Sequence, residues 1–185
     1  MNFNEHSKFK GIHSFLSPSN YHWINYDEEK LVTTYTNYLA RQKGTRLHAF
    51  ACEAIELGIK LKANKQTLNM YVNDAIGYGM TPEQPLVYSE NAFGTADAIS
   101  FRKNLLRIHD LKTGESPVSM NQLLVYAALF CLEYEIKPST FDTELRIYQS
   151  NEVIIHNPEV DEIVPIMDKI VSFDKIITKI NEEGY

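Results

Sequence analysis

The chain is expected to fold as an α/β domain in which a mixed central β-sheet is flanked by helices. Three observations lead there. Apolar residues recur at helical spacing between about 27 and 77, and the period then shortens to that of strands between about 86 and 111. A strongly apolar helical segment follows, then two more strand-like runs and a last amphipathic helix. This α-α-α-β-β-β-α-β-β-α order puts a sheet in the middle with helices packed on it.

The elements can be justified in order. Residues 1–17 have weak periodicity and are expected to form an irregular arm, with 18–185 a single domain. Ser17-Pro18-Ser19-Asn20 reads as a turn and helix cap. A helix is predicted over about 27–41, with Leu31, Tyr35, Tyr38 and Leu39 on its apolar side. Lys43-Gly44-Thr45 reads as a break, after which Thr45 can cap a second helix that stops at Gly58. A third helix is predicted over about 65–77. Leu86–Tyr88, Ala96–Phe101 and Leu105–Leu111 read as strands, and a helix follows over about 118–134. Thr143–Gln149 and Val153–His156 read as two strands joined at Ser150-Asn151, and Pro158 opens a final helix.

Composition bounds what such a domain can do. A chain of 185 residues buries an adequate core without staples. Cys52 and Cys131 both lie in apolar helical segments and lack a CxxC partner, so core packing in a reducing compartment is expected, not a zinc or iron–sulfur site. No apolar run approaches the roughly 20 residues of a membrane helix, and the N-terminus has no signal-peptide core, so a cytoplasmic protein without a membrane partner is expected. The net charge of −6 argues against a protein that coats nucleic acid. Its distribution is uneven: residues 1–132 carry 13 Lys/Arg against 12 Asp/Glu, and 133–185 carry 5 against 12. The acidic excess therefore lies away from the motifs below, and an acidic balance leaves a DNA substrate open.

Four motifs stand in a fixed order. Gly44-Thr45-Arg46-Leu47-His48 is helical, Gly94-Thr95-Ala96-Asp97 lies in a strand, Asp110-Leu111-Lys112-Thr113-Gly114 ends the next strand, and Gln122 to Tyr126 lies on the following helix. In a strand, alternate residues share a face, so Asp110 and Lys112 point one way and Leu111 into the core. His109 is expected on the opposite face. A carboxylate and an ammonium at the end of a buried strand are expensive without a partner or a task. Asp97 on the neighbouring strand brings a second carboxylate, and with the imidazole of His48 the set suits Mg²⁺ or Mn²⁺. Such an ion polarises a phosphate and acidifies a water, while Lys112 can orient that water and offset charge in the transition state. Gln122 and Tyr126, four apart on a helix, share a face and can hold Lys112 or a phosphate. Glu53 lies about 140° around the helix from His48 and is expected to face elsewhere. Each motif alone is common by chance, and their joint order is what carries the reading.

With these residues the sequence resembles the RecB-like branch of the PD-(D/E)XK nuclease superfamily, which includes CRISPR-associated exonucleases and many phage proteins. The matching motifs are GTxxH ending at His48, GxxD ending at Asp97, DxK followed by Thr-Gly at Asp110 to Gly114, and QxxxY from Gln122 to Tyr126. Glu144–Gln149 further resembles an IxQ strand of phage-borne members. The resemblance implies a restriction-endonuclease-like core and Mg²⁺ or Mn²⁺ held by His48, Asp97, Asp110 and the Leu111 carbonyl. It implies Lys112 as the catalytic lysine, with Gln122 and Tyr126 in support. The implied activity is hydrolysis of DNA, from ends or on single strands, in phage or mobile-element processing. The alternative is a DNA-end-binding or recombination accessory that keeps the fold and cuts poorly. A homo-oligomer or a recombination partner protein stays open. Ala96 stands where the superfamily's eponymous proline would be, no cysteine quartet for an iron–sulfur cluster exists, and no P-loop is present.

Overall fold

The computed structural model describes residues 7–9 and 11–184, and the chain divides into two compact units, Met1–Lys43 and Gly44–Tyr185. Of the expected irregular arm, residues 1–6 and 10 lie outside the described residues, and Ser7–Phe9 forms one 3₁₀ turn. In the same unit Pro18–Asn25 is 3₁₀-helical, with Pro18 presetting the backbone of its first turn. Ser17 does not cap it with its side chain, as the sequence suggested. Its carbonyl instead accepts the Trp23 indole N–H at 3.1 Å. Asp27 Oδ1 accepts the Lys30 N–H at 2.8 Å, satisfying one of the unpaired donors at the start of the next helix. Phe15, Tyr35 and Tyr38 form an aromatic cluster with ring centroids 5.0 to 5.9 Å apart.

The expected break at Lys43-Gly44-Thr45 does not occur. A single helix α1 runs from Glu28 to Glu56, with Thr45 in its interior. The glycine has another reason to be there. A Cβ built on Gly44 would lie 2.8 Å from Thr113 Oγ1, so the position is bare because a loop packs against it. Helix propagation tolerates one glycine at a cost of about 1 kcal/mol when tertiary contact repays it.

In the second unit, α2 spans Thr67–Tyr78 and ends on Gly79 in the left-handed conformation. Five strands follow: β1 Thr81–Ser89, β2 Ala92–Arg102, β3 Leu105–Leu111, β4 Asp142–Gln149 and β5 Glu152–His156. Their order in the sheet is β1-β2-β3-β4-β5. The β3–β4 pair is parallel and the others are antiparallel, so the sheet is mixed, as expected. A parallel pair needs a crossover, which α3, Asn121–Glu133, supplies. Lys103-Asn104 and Ser150-Asn151 both take positive φ, as two-residue hairpin turns require.

β1 begins five residues earlier than the sequence suggested. Pro82 and Pro85 mask it, yet both are tolerated because β1 is an edge strand. α3 starts at Asn121, not 118. Val118 still packs against the core from the preceding loop, which is why it read as helical. The last helix, α4, spans Val160–Glu183 and is opened by a capping box between Glu159 and Glu162, two residues beyond Pro158.

Alternation along the strands makes two cores. Leu106, Ile108, Leu145 and Ile147 pack with Leu123, Leu124 and Ala127 of α3 and Ile163 of α4. Ala98, Leu111 and Tyr148 pack with Ala51, Ala54 and Ile55 of α1 and Tyr71, Val72 and Ala75 of α2. Cys131 is buried in the first core, a free thiol acting as a small hydrophobe. Among the described residues no helix is long and apolar enough to cross a membrane.

Candidate metal centre

The candidate centre forms where β2 and β3 part. Their antiparallel pairing runs from Arg102↔Leu105 to Ala98↔His109, and the next step of that register sets Asp97 opposite Asp110. Here a side chain replaces the ladder: Asp97 Oδ2 accepts the Leu111 backbone N–H at 2.8 Å. β3 meanwhile stays bound to β4 through Leu111↔Tyr148, and the Lys112 N–H donates to the Tyr148 carbonyl at 2.9 Å. The end of β3 is thus fixed from one side while a carboxylate fills the other.

Asp110 and Lys112 share a face, as strand geometry demands. Lys112 Nζ donates to Asp110 Oδ1 at 3.1 Å and to Gln122 Oε1 of α3 at 2.8 Å. Asp110 is only 3% exposed. Its Oδ2 lies 3.0 Å from the same ammonium, an ion-pair distance, but off the line of a hydrogen bond, so this buried oxygen has no hydrogen-bond donor. His109 takes the opposite face, as expected. It is fully buried against Tyr78 and Tyr148, with Nδ1 3.2 Å from the Tyr148 hydroxyl. Burial, reinforced by Arg146 and Arg107, pushes its pKa down to about 3, so it is neutral and structural.

His48 extends from α1 one turn after Gly44, its Nδ1 3.5 Å from Asp97 Oδ2. The loop contact at Gly44 therefore sets how closely this part of α1 approaches the end of β3. Glu83 of β1 completes the group: ligand atoms of His48, Glu83 and Asp97 all lie within 4.8 Å of one another. Asp110 is not a member of that trio and is engaged by Lys112. Glu83 holds a positive φ of 46°, uncommon for a residue with a side chain and worth about 1–3 kcal/mol of strain where function retains it.

Glu83 escaped the sequence reading because its strand did. Counting back through the β1–β2 hairpin, whose register pairs Gln84 with Ala96 and Pro82 with Ala98, sets Glu83 opposite Asp97. Glu53, by contrast, is exposed on α1 and is absent from the group, in line with its position around the helix.

Electrostatics mark the same spot. Burial pushes the Asp97 pKa up to about 6, with further upward pressure from Asp110 and Glu83 and downward pressure from the Leu111 N–H and His48. Three carboxylates facing one imidazole and one ammonium make an oxygen-rich donor set. That set fits a hard divalent cation held by His48, Glu83 and Asp97.

The supporting residues are placed as follows. Gln122 reaches Lys112. Tyr126 does not; its hydroxyl donates to the Thr95 carbonyl at 2.6 Å and its ring covers Gly94, where a Cβ would lie 3.0 Å from Cε1. Tyr126 thus braces the strand that carries Asp97. Leu111 is buried, and its N–H is the group that Asp97 binds. Gln149 of β4 donates to the Gly114 and Ser116 carbonyls at 2.6 and 2.9 Å, tying down the loop after Lys112.

Comparison with protein-family models, with curated proteins and with solved structures finds no match to this chain.

Proposed function

We propose that the chain is a metal-dependent nuclease of the RecB-like type that hydrolyses DNA phosphodiester bonds, acting in the cytoplasm on phage or mobile-element DNA. The observation that carries the reading is the pairing of a buried Asp110 with Lys112 two residues on, together with the His48–Glu83–Asp97 group. A site of like charges gains from a cation, and a lysine held at its rim gains from an anion. Mg²⁺ or Mn²⁺ bound there supplies a Lewis acid for a phosphate oxygen and lowers the pKa of water. The remaining work falls to the chain. Lys112, fixed by Asp110 and Gln122, presents its ammonium to the charge that builds on the phosphate and orients the attacking water. Tyr126 and Gly94 hold β2 so that Asp97 keeps its place.

The direct test incubates purified protein with end-labelled linear, circular and single-stranded DNA, with and without Mn²⁺. Metal-dependent product from at least one substrate is expected. Intact DNA in every lane, with retained binding to ends, would leave the accessory reading in its place.

Two smaller effects follow from the geometry. Gln122→Ala removes one of the two partners of Lys112, and second-shell losses of this kind cost about 10–100-fold in rate. Tyr126→Phe, which keeps the ring over Gly94 and loses only the bond to Thr95, should cost less than Gln122→Ala. Steady-state rates of the two variants on one oligonucleotide check the order.

Binding of a cation also needs Asp97 ionised. Because its pKa is raised to about 6, protons compete below that value, and apparent Mn²⁺ affinity should fall about tenfold per pH unit once well below it. Thermal-shift titrations with Mn²⁺ at pH 5, 6 and 7.5 read this directly, and a flat affinity across that range would remove Asp97 from the ligand set.

A further inference from the structure

The sheet has two edges of different character. At one, β1 carries Pro82 and Pro85, which cannot donate to an incoming strand, and the Val87 N–H is taken by Glu133 Oε2 of α3 at 2.8 Å. That edge is closed. At the other, β5 reads Glu-Val-Ile-Ile-His, has no proline and pairs with β4 alone, from Gln149↔Glu152 to Leu145↔His156. Ile154 and Ile155 are consecutive in this strand, so they lie on opposite faces of the sheet, yet they are 44% and 53% exposed. A partner that covers one face leaves one of them in water. Covering both takes a chain that runs along the edge, which is to say another strand.

We propose that the strand is β5 of a second copy, paired antiparallel with the first about a two-fold axis through Ile154, so that the sheet of one copy continues into that of the other. The ends of β5 carry the choice of partner. Glu152 opens the strand and His156 closes it, and self-pairing about Ile154 sets Glu152 of each copy opposite His156 of the other. Between these pairs Val153 meets Ile155 on one face, and Ile154 meets its own counterpart on the other. Glu152 is exposed, and His156 engages Glu162 Oε2 through Nε2 at 2.9 Å, with Nδ1 left for a second carboxylate. Five residues a side is well below the roughly 20–30 of a stable interface, so a weak dimer is expected, with a dissociation constant on the order of 10–100 μM.

Sedimentation equilibrium of the full chain over about 1–500 μM tests the association, at moderate ionic strength to screen the acidic first turns of α4 on the two copies. Monomer passing to dimer and no further is expected, since a two-fold contact closes on itself. Ile154→Lys sets two ammonium groups against each other at the axis and should weaken association at least tenfold. Glu152→Lys, at the rim, should weaken it at least threefold. Monomer at every concentration, or unchanged association by either folded variant, overturns the proposal and leaves the edge to a different strand. Cross-linking tests the register. Ile154→Cys and Ile155→Cys are each made with Cys52→Ser, the other cysteine, Cys131, being buried. Directly opposed Cβ atoms lie about 4.5–5.5 Å apart, close to disulfide reach, whereas the two residues 155 sit on a diagonal at roughly 7–8 Å. Oxidation should trap a covalent dimer of Ile154→Cys and at least tenfold less of Ile155→Cys. No trapping at 154, or equal trapping at both positions, overturns the pairing.

Discussion

Lys112→Ala should abolish DNA cleavage and yet leave Mn²⁺ binding at least as strong as in wild type. The ammonium is paired with Asp110, at 3.0 and 3.1 Å from its two oxygens, and it is not a candidate ligand. Removing a group that meets charge in the transition state costs on the order of 10²–10³-fold or more in rate. Removing the counterion of a carboxylate that is 3% exposed also leaves a buried charge unpaired, which is destabilising until a proton or a metal replaces it. The variant should therefore melt lower than wild type in metal-free buffer and show a thermal shift with Mn²⁺ no smaller than that of wild type. Cleavage at the wild-type rate would strip Lys112 of its role. Loss of the metal response would mean that the lysine chiefly holds the site together.

Asp97→Asn should have effects of opposite sign with and without metal. In the fold its pKa is raised above the unfolded value of 3.8 to about 6. A group raised in this way contributes its full stability below pH 3.8 and loses it as the pH climbs through 6, so at pH 7.5 the ionised carboxylate is a burden on the metal-free protein. Asparagine is neutral and can still accept the Leu111 N–H, so the metal-free variant should be more stable at pH 7.5, by about 1–2 kcal/mol. The same change removes a charged ligand, and the stabilisation by Mn²⁺, about 2.7 kcal/mol at a hundred times Kd, should vanish. Asp110→Asn should likewise lose the metal response, but it also deprives Lys112 of its ion pair, so no metal-free gain is expected there. Chemical denaturation of the three proteins with and without Mn²⁺ decides the matter, and an Asp97→Asn protein still stabilised by Mn²⁺ would discard the ligand assignment.

The sequence was most readable where one periodicity acts alone. β3, with alternate residues divided between two cores, matches the expected strand at both ends, and α3, apolar on almost every side, is found where a helix is expected but starts three residues later. The pairing of Asp110 with Lys112, and its separation from His109, followed from the two-residue repeat of a strand. Where one residue serves two constraints the reading failed. Gly44 looks like a helix stop because glycine usually is one, but here it answers to a contact 69 positions away with Thr113, which local pattern cannot show. Pro82 and Pro85 speak against a strand and hid Glu83, because tolerance of proline depends on a strand lying at the sheet edge. Tyr126 was placed on the correct helix face, but its partner, the Thr95 carbonyl, depended on packing between α3 and β2.

The two bare positions at Gly44 and Gly94 have a genetic consequence. Neither carries a reactive group, yet each is the empty half of a close approach, to Thr113 Oγ1 in one case and the Tyr126 ring in the other. A screen for inactive alleles would therefore collect bulky replacements at both, alongside the ionisable residues. The suppressors would differ. Thr113→Ala deletes the atom that a side chain at 44 meets, so it should restore a Gly44→Ala allele, whereas it does nothing for Gly94, whose obstacle is an aromatic ring anchored to its own strand. Such allele-specific rescue would map the packing of the site in a living cell without any assay of its chemistry.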